Sequence, residues 1–234
     1  MRLQTVVADY YAQVTGEHSD HRSWEHCFRY FQAFSRRPTN EGRDQAALQL
    51  GFFLASWGMY RGSAFIRQYS YTANFGAVDA LLLPEFSILW ERDFGSEDAD
   101  FELVPLILCL SDAIRSSYQI FAEQAGSSGA SDTLVSKVLL GTLGCLPAYD
   151  RYFAAGFKAA GFRGSEFNSV SVHKILIFCQ LHRDALRRSQ SVIERQSGLR
   201  YPFMKLADMY FWQLGWELER TKASEFAKLR LSVG

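Results

Sequence analysis

From Asn168 onward the apolar residues keep a helical period that no other pattern interrupts. Val172, Ile175, Leu176, Cys179, Leu186 and Ile193 recur at 3.6-residue spacing, which predicts one long helix over about 168–196. Ser197-Gly198 signals its end. After Tyr201-Pro202 a second helix is predicted over about 203–219, apolar on most sides and therefore buried. Its one mixed stripe is Lys205, Asp208, Trp212 and Trp216, at i, i+3, i+7 and i+11. A chain whose end is built this way must bury helix against helix, and the first half reads alike. Residues 21–34 look helical, 36–40 form a loop, and 46–68 are dense in apolar residues, with Gly51, Gly58 and Gly62 allowing close packing or breaks. Further helices are predicted at 77–93 and 101–124, separated by the acidic loop 95–100. There is no sustained alternation of the kind a strand needs, and only five prolines. The expectation is an all-α fold of about ten helices.

The one linker-like run is Gly126-Ser127-Ser128-Gly129-Ala130. It divides an expected N-terminal helical lobe, 1–125, from a C-terminal lobe, 132–234, with a cleft between them; one compact domain is the alternative. Apolar content of 48% and aromatic content of 15% belong to a folded chain. No apolar run approaches the ~18 residues that span a bilayer, and the first residues lack a signal-peptide apolar region. A cytoplasmic protein with no membrane partner is expected. Cys27, Cys109, Cys145 and Cys179 form no C-x-x-C pair, so buried thiols are expected in place of disulfides or a zinc site.

Residues 131–153 carry the densest local signals. Ser131 or Asp132 can cap a helix with an apolar stripe of Leu134, Val135, Val138 and Leu139. Gly144 stands where a helix end takes a left-handed residue, and Pro147 blocks continuation. Asp150 opens the next helix, where the helix dipole favours an anion. It is either a cap or a working carboxylate, and Tyr149, Arg151, Tyr152 and Phe153 crowd it with aromatic and cationic groups.

Charge is segregated although the net is zero. Residues 1–149 hold 11 Lys/Arg against 17 Asp/Glu, a net of −6; residues 150–234 hold 14 against 8, a net of +6. A basic strip near Asp150, drawn from Arg151, Lys158, Arg163, Arg183, Arg187 and Arg188, would suit a polyanion. Arg61 is the one charge in the apolar stretch 55–63, so pairing with a carboxylate or contact with a ligand is expected; Trp57 and Tyr60 beside it could stack on a base. His18, His21 and His26 cluster with Glu17, Asp20 and Glu25, but match no zinc signature. Gly141-Thr142-Leu143-Gly144 lacks the Lys-Ser/Thr of a phosphate loop, and no dinucleotide fingerprint appears. Neither a cofactor nor a metal is expected.

Ser136-Lys137, the apolar helix, and Pro147-Ala148-Tyr149-Asp150 together resemble the distal half of helix-hairpin-helix DNA glycosylases. The resemblance spans fewer than 25 residues, and the family's Leu-Pro-Gly-Val-Gly hairpin is absent. It implies that Asp150 takes the catalytic aspartate position and Lys137 that of the lyase lysine, although Lys137 is nearer Asp150 than in the family. It also implies a partner, double-stranded DNA bearing a damaged or modified base, with modified phage DNA and antiviral defence as the expected setting. Breaking an N-glycosidic bond builds positive charge on the sugar, which a fixed carboxylate stabilises while it orients water. Trp57, Tyr60 and Tyr149 are the candidate stacking residues, and Arg61 and Arg151 the candidate phosphate or base contacts. Two other classes remain open: a non-enzymatic helical binding or toxin–antitoxin module in which Asp150 only caps, and a helical nuclease using the histidine cluster.

Overall fold

The structure, a computed structural model, describes residues 3–14, 16 and 18–231, with side chains left undescribed at Glu91 and beyond residue 222. The described residues are all-helical, with no strand among them. Eleven α-helices follow in chain order: α1 (Leu3–Val14), α2 (Arg22–Phe34), α3 (Asn40–Ser56), α4 (Phe75–Leu81), α5 (Val104–Ser117), α6 (Gln119–Gln124), α7 (Asp132–Thr142), α8 (Arg151–Ala159), α9 (Ser169–Leu181), α10 (Arg183–Ser197) and α11 (Phe203–Leu231). No helix among the described residues is long and apolar enough to cross a membrane.

Local chemistry sets several of the ends. Thr39, Ser131, Asp150 and Asn168 each accept a hydrogen bond from a backbone N–H in the first turn of the helix they precede. Gly144 (φ 65°) and Gly198 (φ 67°) take the left-handed conformation just past α7 and α10.

Three expected helices are broken. The span 168–196 is two helices, because His182 leaves helical geometry (φ −112°, ψ 17°) and turns its ring onto Phe178, 4.7 Å between centroids. Neither Gly nor Pro marks the site, so the periodic pattern runs through it. Residues 77–93 end as an α-helix at Leu81. Pro84 lacks an N–H and holds Leu83 extended, and Pro84–Glu91 continues as a 3-10 helix. Residues 101–124 divide among a 3-10 helix at Asp98–Leu103, α5 and α6, with Tyr118 as the joint.

α11 is the spine. α8 crosses it so closely that Gly156 faces the backbone of Phe211, and Gly215 the backbone of Tyr152; a Cβ on either glycine would overlap a carbonyl oxygen. α1 and α10 also pack on α11, while α7 is sandwiched by α2, α3 and α5. One apolar core runs from Leu3 to Phe211 and continues across residues 126–130: Tyr118 and Ala122 before that run, Ala130 at its end and Leu134 after it belong to it.

Candidate active site

Four charged side chains meet inside this apolar frame. α7 brings Lys137, the turn before α8 brings Asp150, and α11 brings Lys205 and Asp208 one turn apart. Lys205 and Asp208 are almost fully buried, with side chains 3% and 1% exposed, and Lys205 Nζ donates to Asp208 Oδ2 at 2.9 Å. Lys137 Nζ donates to the carbonyl oxygen of Trp57 at 2.8 Å and lies 3.8 Å from Asp150 Oδ2. Placing four charges in an interior would be prohibitive singly; as two opposite pairs they offset one another's desolvation.

Asp150 divides its two oxygens between two tasks. Oδ1 accepts from the N–H groups of Tyr152 and Phe153, both at 3.0 Å, and so caps α8. Oδ2 is the oxygen that faces Lys137. The turn that delivers it is pinned by other polar groups: Ala148 N–H donates to Asp208 Oδ1 at 3.0 Å, and Tyr149 N–H donates to Ser136 Oγ at 2.8 Å.

Aromatic rings wall the cluster. Lys205 Nζ lies over the rings of Trp57, Trp24 and Tyr10, at 4.5, 5.2 and 5.6 Å from their centroids. Tyr10 Oη shares a 3.1 Å hydrogen bond with His21 Nδ1, and His21 sits edge-on to Trp57 and Trp212. His21, Trp57, Asp150 and Trp212 are partly exposed, so they form the rim, and Lys137, Lys205 and Asp208 lie beneath them.

Protonation follows from that depth. Burial pushes the Lys137 amine below the usual lysine range; Asp150 and then Asp208 oppose the shift, while Arg61 and Lys205 add to it. Burial likewise lowers Lys205, with Asp208 opposing. Burial raises Asp150 above the ordinary carboxylate range, against the pull of Lys137. His21 is lowered by burial first and by the Lys205 charge next, which favours its neutral form near pH 7. Tyr10 is raised well above the phenol range by burial and by Asp208 and Asp150, so it stays a phenol. The site thus holds two amines whose charged form burial disfavours beside a carboxylate whose proton affinity burial raises.

The expected site residues separate on this frame. Asp150, Lys137 and Trp57 come together. Arg61 is exposed, which corrects the expectation of a charge enclosed in apolar surroundings: Gly58 turns the chain outward (φ 79°), and the guanidinium folds back over that glycine. Arg61 still acts on Lys137 through its charge. Tyr60 points elsewhere, its hydroxyl within 3.4 Å of Asn74 Nδ2. Tyr149 is core, its hydroxyl bonded to Ser171 at 2.9 Å and its ring packed on Phe153 and Phe167. Arg151 is exposed, over the Tyr152 ring and 3.8 Å from Glu219.

The basic residues do not line up beside Asp150. Lys158 and Arg163 share a small pocket at the far end of α8, roughly 12 Å along that helix from Asp150. Arg183 is tied to Asp98 at 2.6 Å, Arg187 faces Asp93, and Arg188 lines a groove between α1 and α10. Of the histidine cluster, Glu17 lies outside the described residues, His18 and His26 are exposed, and His21 belongs to the charged site. No group of three or more metal-ligating side chains occurs among the described residues.

Lys205, Asp208 and Tyr10 were not expected here, and His21 was expected only as part of the histidine cluster. The signal for Lys205 and Asp208 was the pair of charges at i, i+3 in an otherwise apolar helix. The groove between α1 and α10 is the larger cavity, about 790 Å³, yet its described lining carries no carboxylate, lysine, histidine or thiol.

No family model, curated protein or solved structure matches this chain.

Proposed function

We propose that this protein cleaves the N-glycosidic bond of a modified or damaged nucleotide in DNA, with Asp150 as the carboxylate and Lys137 as the amine beside it. The observation that carries the reading is the division of Asp150: one oxygen holds the helix, and the other faces a buried lysine at 3.8 Å under a rim of aromatic rings. In hydrolysis the C1′–N bond breaks and its electron pair leaves with the base, which takes up a proton. Water adds at C1′ and gives its own proton to Asp150, whose charge also stabilises the cationic sugar. A carboxylate whose affinity for protons is raised by burial suits that role. The nucleotide must leave the stack to reach a recessed site, and Trp57 and His21 at the rim are rings that could receive it.

A second reading has its own observation. The same Oδ1 contacts are those of an ordinary N-cap, and a binding module could keep the four charges as a structural network. Incubation with oligonucleotides carrying oxidised, alkylated and phage-type modified bases, followed by assay for abasic sites, separates the two. The enzyme reading expects base release by the wild type, abolished in Asp150→Asn, and a borohydride-trapped adduct lost in Lys137→Met if the amine attacks C1′. Absence of base release across the panel would favour the structural network.

A further inference from the structure

The mixed stripe of α11 does not stop at the buried pair. Lys205 and Asp208 lie at the bottom of the site, and Trp212, one helical turn on, stands at the rim. There it meets Tyr10 at 5.4 Å, His21 at 6.1 Å and Tyr152 at 4.9 Å between ring centroids. One turn further out is Trp216, whose ring is nearly parallel to that of Trp212 (13°) with centroids 6.3 Å apart. One more turn brings the Arg220 guanidinium over the Trp216 ring at 5.0 Å, and Arg151 lies over Tyr152 at 4.4 Å. Trp216 and Tyr152 are half-buried, while Arg151 and Arg220 are exposed. From Trp212 to Arg220 the strip runs roughly 12 Å along the helix.

An arginine over a half-exposed tryptophan is also an ordinary way to finish a helix surface. π faces alternating with guanidinium groups are, however, the surface on which unpaired bases stack while their phosphates are neutralised. Of the two acids beside the strip, Glu219 lies 3.8 Å from Arg151, and Glu217 accepts from Gln213 Nε2 at 2.8 Å.

We propose that the Trp212–Trp216 strip, with Tyr152, Arg151 and Arg220, is a stacking platform for the unpaired nucleotides that flank the one entering the site. The inference rests on the nucleic-acid reading above and deepens it: the preferred substrate has unpaired bases next to the target, in a single strand or a bubble. A fully paired duplex keeps its neighbouring bases in the stack and leaves the strip unused.

The test is fluorescence anisotropy with labelled oligothymidylate and with a fully paired hairpin of equal charge, at the same salt, for wild type, Trp216→Phe and Trp216→Leu. Trp216 lies outside the described contacts of the charged cluster, so these changes spare it. The platform expects tighter binding of the single strand. Leu should weaken single-strand binding by roughly tenfold, as loss of one stacked base does, with Phe keeping most of it and hairpin binding unchanged. Equal weakening of both ligands, or no change in single-strand binding with Leu, would overturn the platform and leave the DNA reading standing. Failure of the wild type to bind either oligonucleotide would overturn both.

Discussion

Replacing Asp150 with Asn changes one thing and keeps another, because the two carboxylate oxygens have different partners. An amide oxygen in the Oδ1 position still accepts from Tyr152 and Phe153 N–H, and Asn caps a helix as well as Asp does. What is lost is the charge 3.8 Å from Lys137 Nζ. At that distance the attraction is about 4 kcal/mol for an effective dielectric near 20. Most of it is offset by the desolvation that Asn avoids, and Lys137, already pushed down by burial, can shed its proton. The net loss expected for Asp150→Asn is about 1–2 kcal/mol, and Asp150→Ala should lose about 1 kcal/mol more by removing the cap. A domain stable by at least about 5 kcal/mol stays almost wholly folded under the first change. Base release, in contrast, should fall by at least about 100-fold, since the anion that stabilises the sugar cation is gone. Urea unfolding of the three proteins, with abasic-site assays on the same samples, tests both arms. Equal destabilisation by Asn and Ala would refute the division of the two oxygens. Base release by Asp150→Asn at the wild-type rate would refute the catalytic role.

Gly156→Ala or Gly215→Ala should be among the most disruptive single changes, lowering stability by about 3 kcal/mol or more, because each new methyl meets a backbone carbonyl of the partner helix. Thermal melts of both variants would show this, and a melting point within a few degrees of wild type would contradict the close crossing. Gly58→Ala should strain a left-handed turn and displace the Arg61 guanidinium, whose Nε would lie 2.6 Å from the new Cβ; circular dichroism melts should show a loss of about 1–2 kcal/mol. The buried thiols should make stability fall with rising pH on the alkaline side, opposed by Lys137 and Lys205, whose amines burial lowers. Burial raises the thiols of Cys27, Cys145 and Cys179 above the usual 9.0, Cys145 to about 12, so the folded chain holds protons that the unfolded chain releases. That contribution is complete below pH 9 and is lost as pH rises from 9 towards 12. Urea midpoints at pH 8 and pH 10 should differ accordingly, and Cys145→Ala should shrink the difference.

The all-helical class, several helix ends and some buried faces were legible in the chain alone, since they depend on neighbours in sequence. Val172, Ile175 and Cys179 mark a buried face by spacing, Asn168 and Ser131 cap by side-chain chemistry, and Gly144 and Gly198 stop helices through backbone freedom. Asp150 at the head of α8 was legible for the same reason. The break at His182 was not, because it arises from a ring contact and leaves the apolar period intact. Nor was the exposure of Arg61, which depends on how Gly58 turns the chain out. The candidate site was only half visible. Lys137 and Asp150 are 13 residues apart, but Tyr10, His21, Trp57, Lys205 and Asp208 come from four other places in the chain. Nothing local distinguishes a lysine that snorkels to solvent from one caged by three rings. That distinction is made by the crossing of α8 on α11, the packing of α1 on α11 and that of α2 on α7, which bring two amines and two carboxylates out of water together.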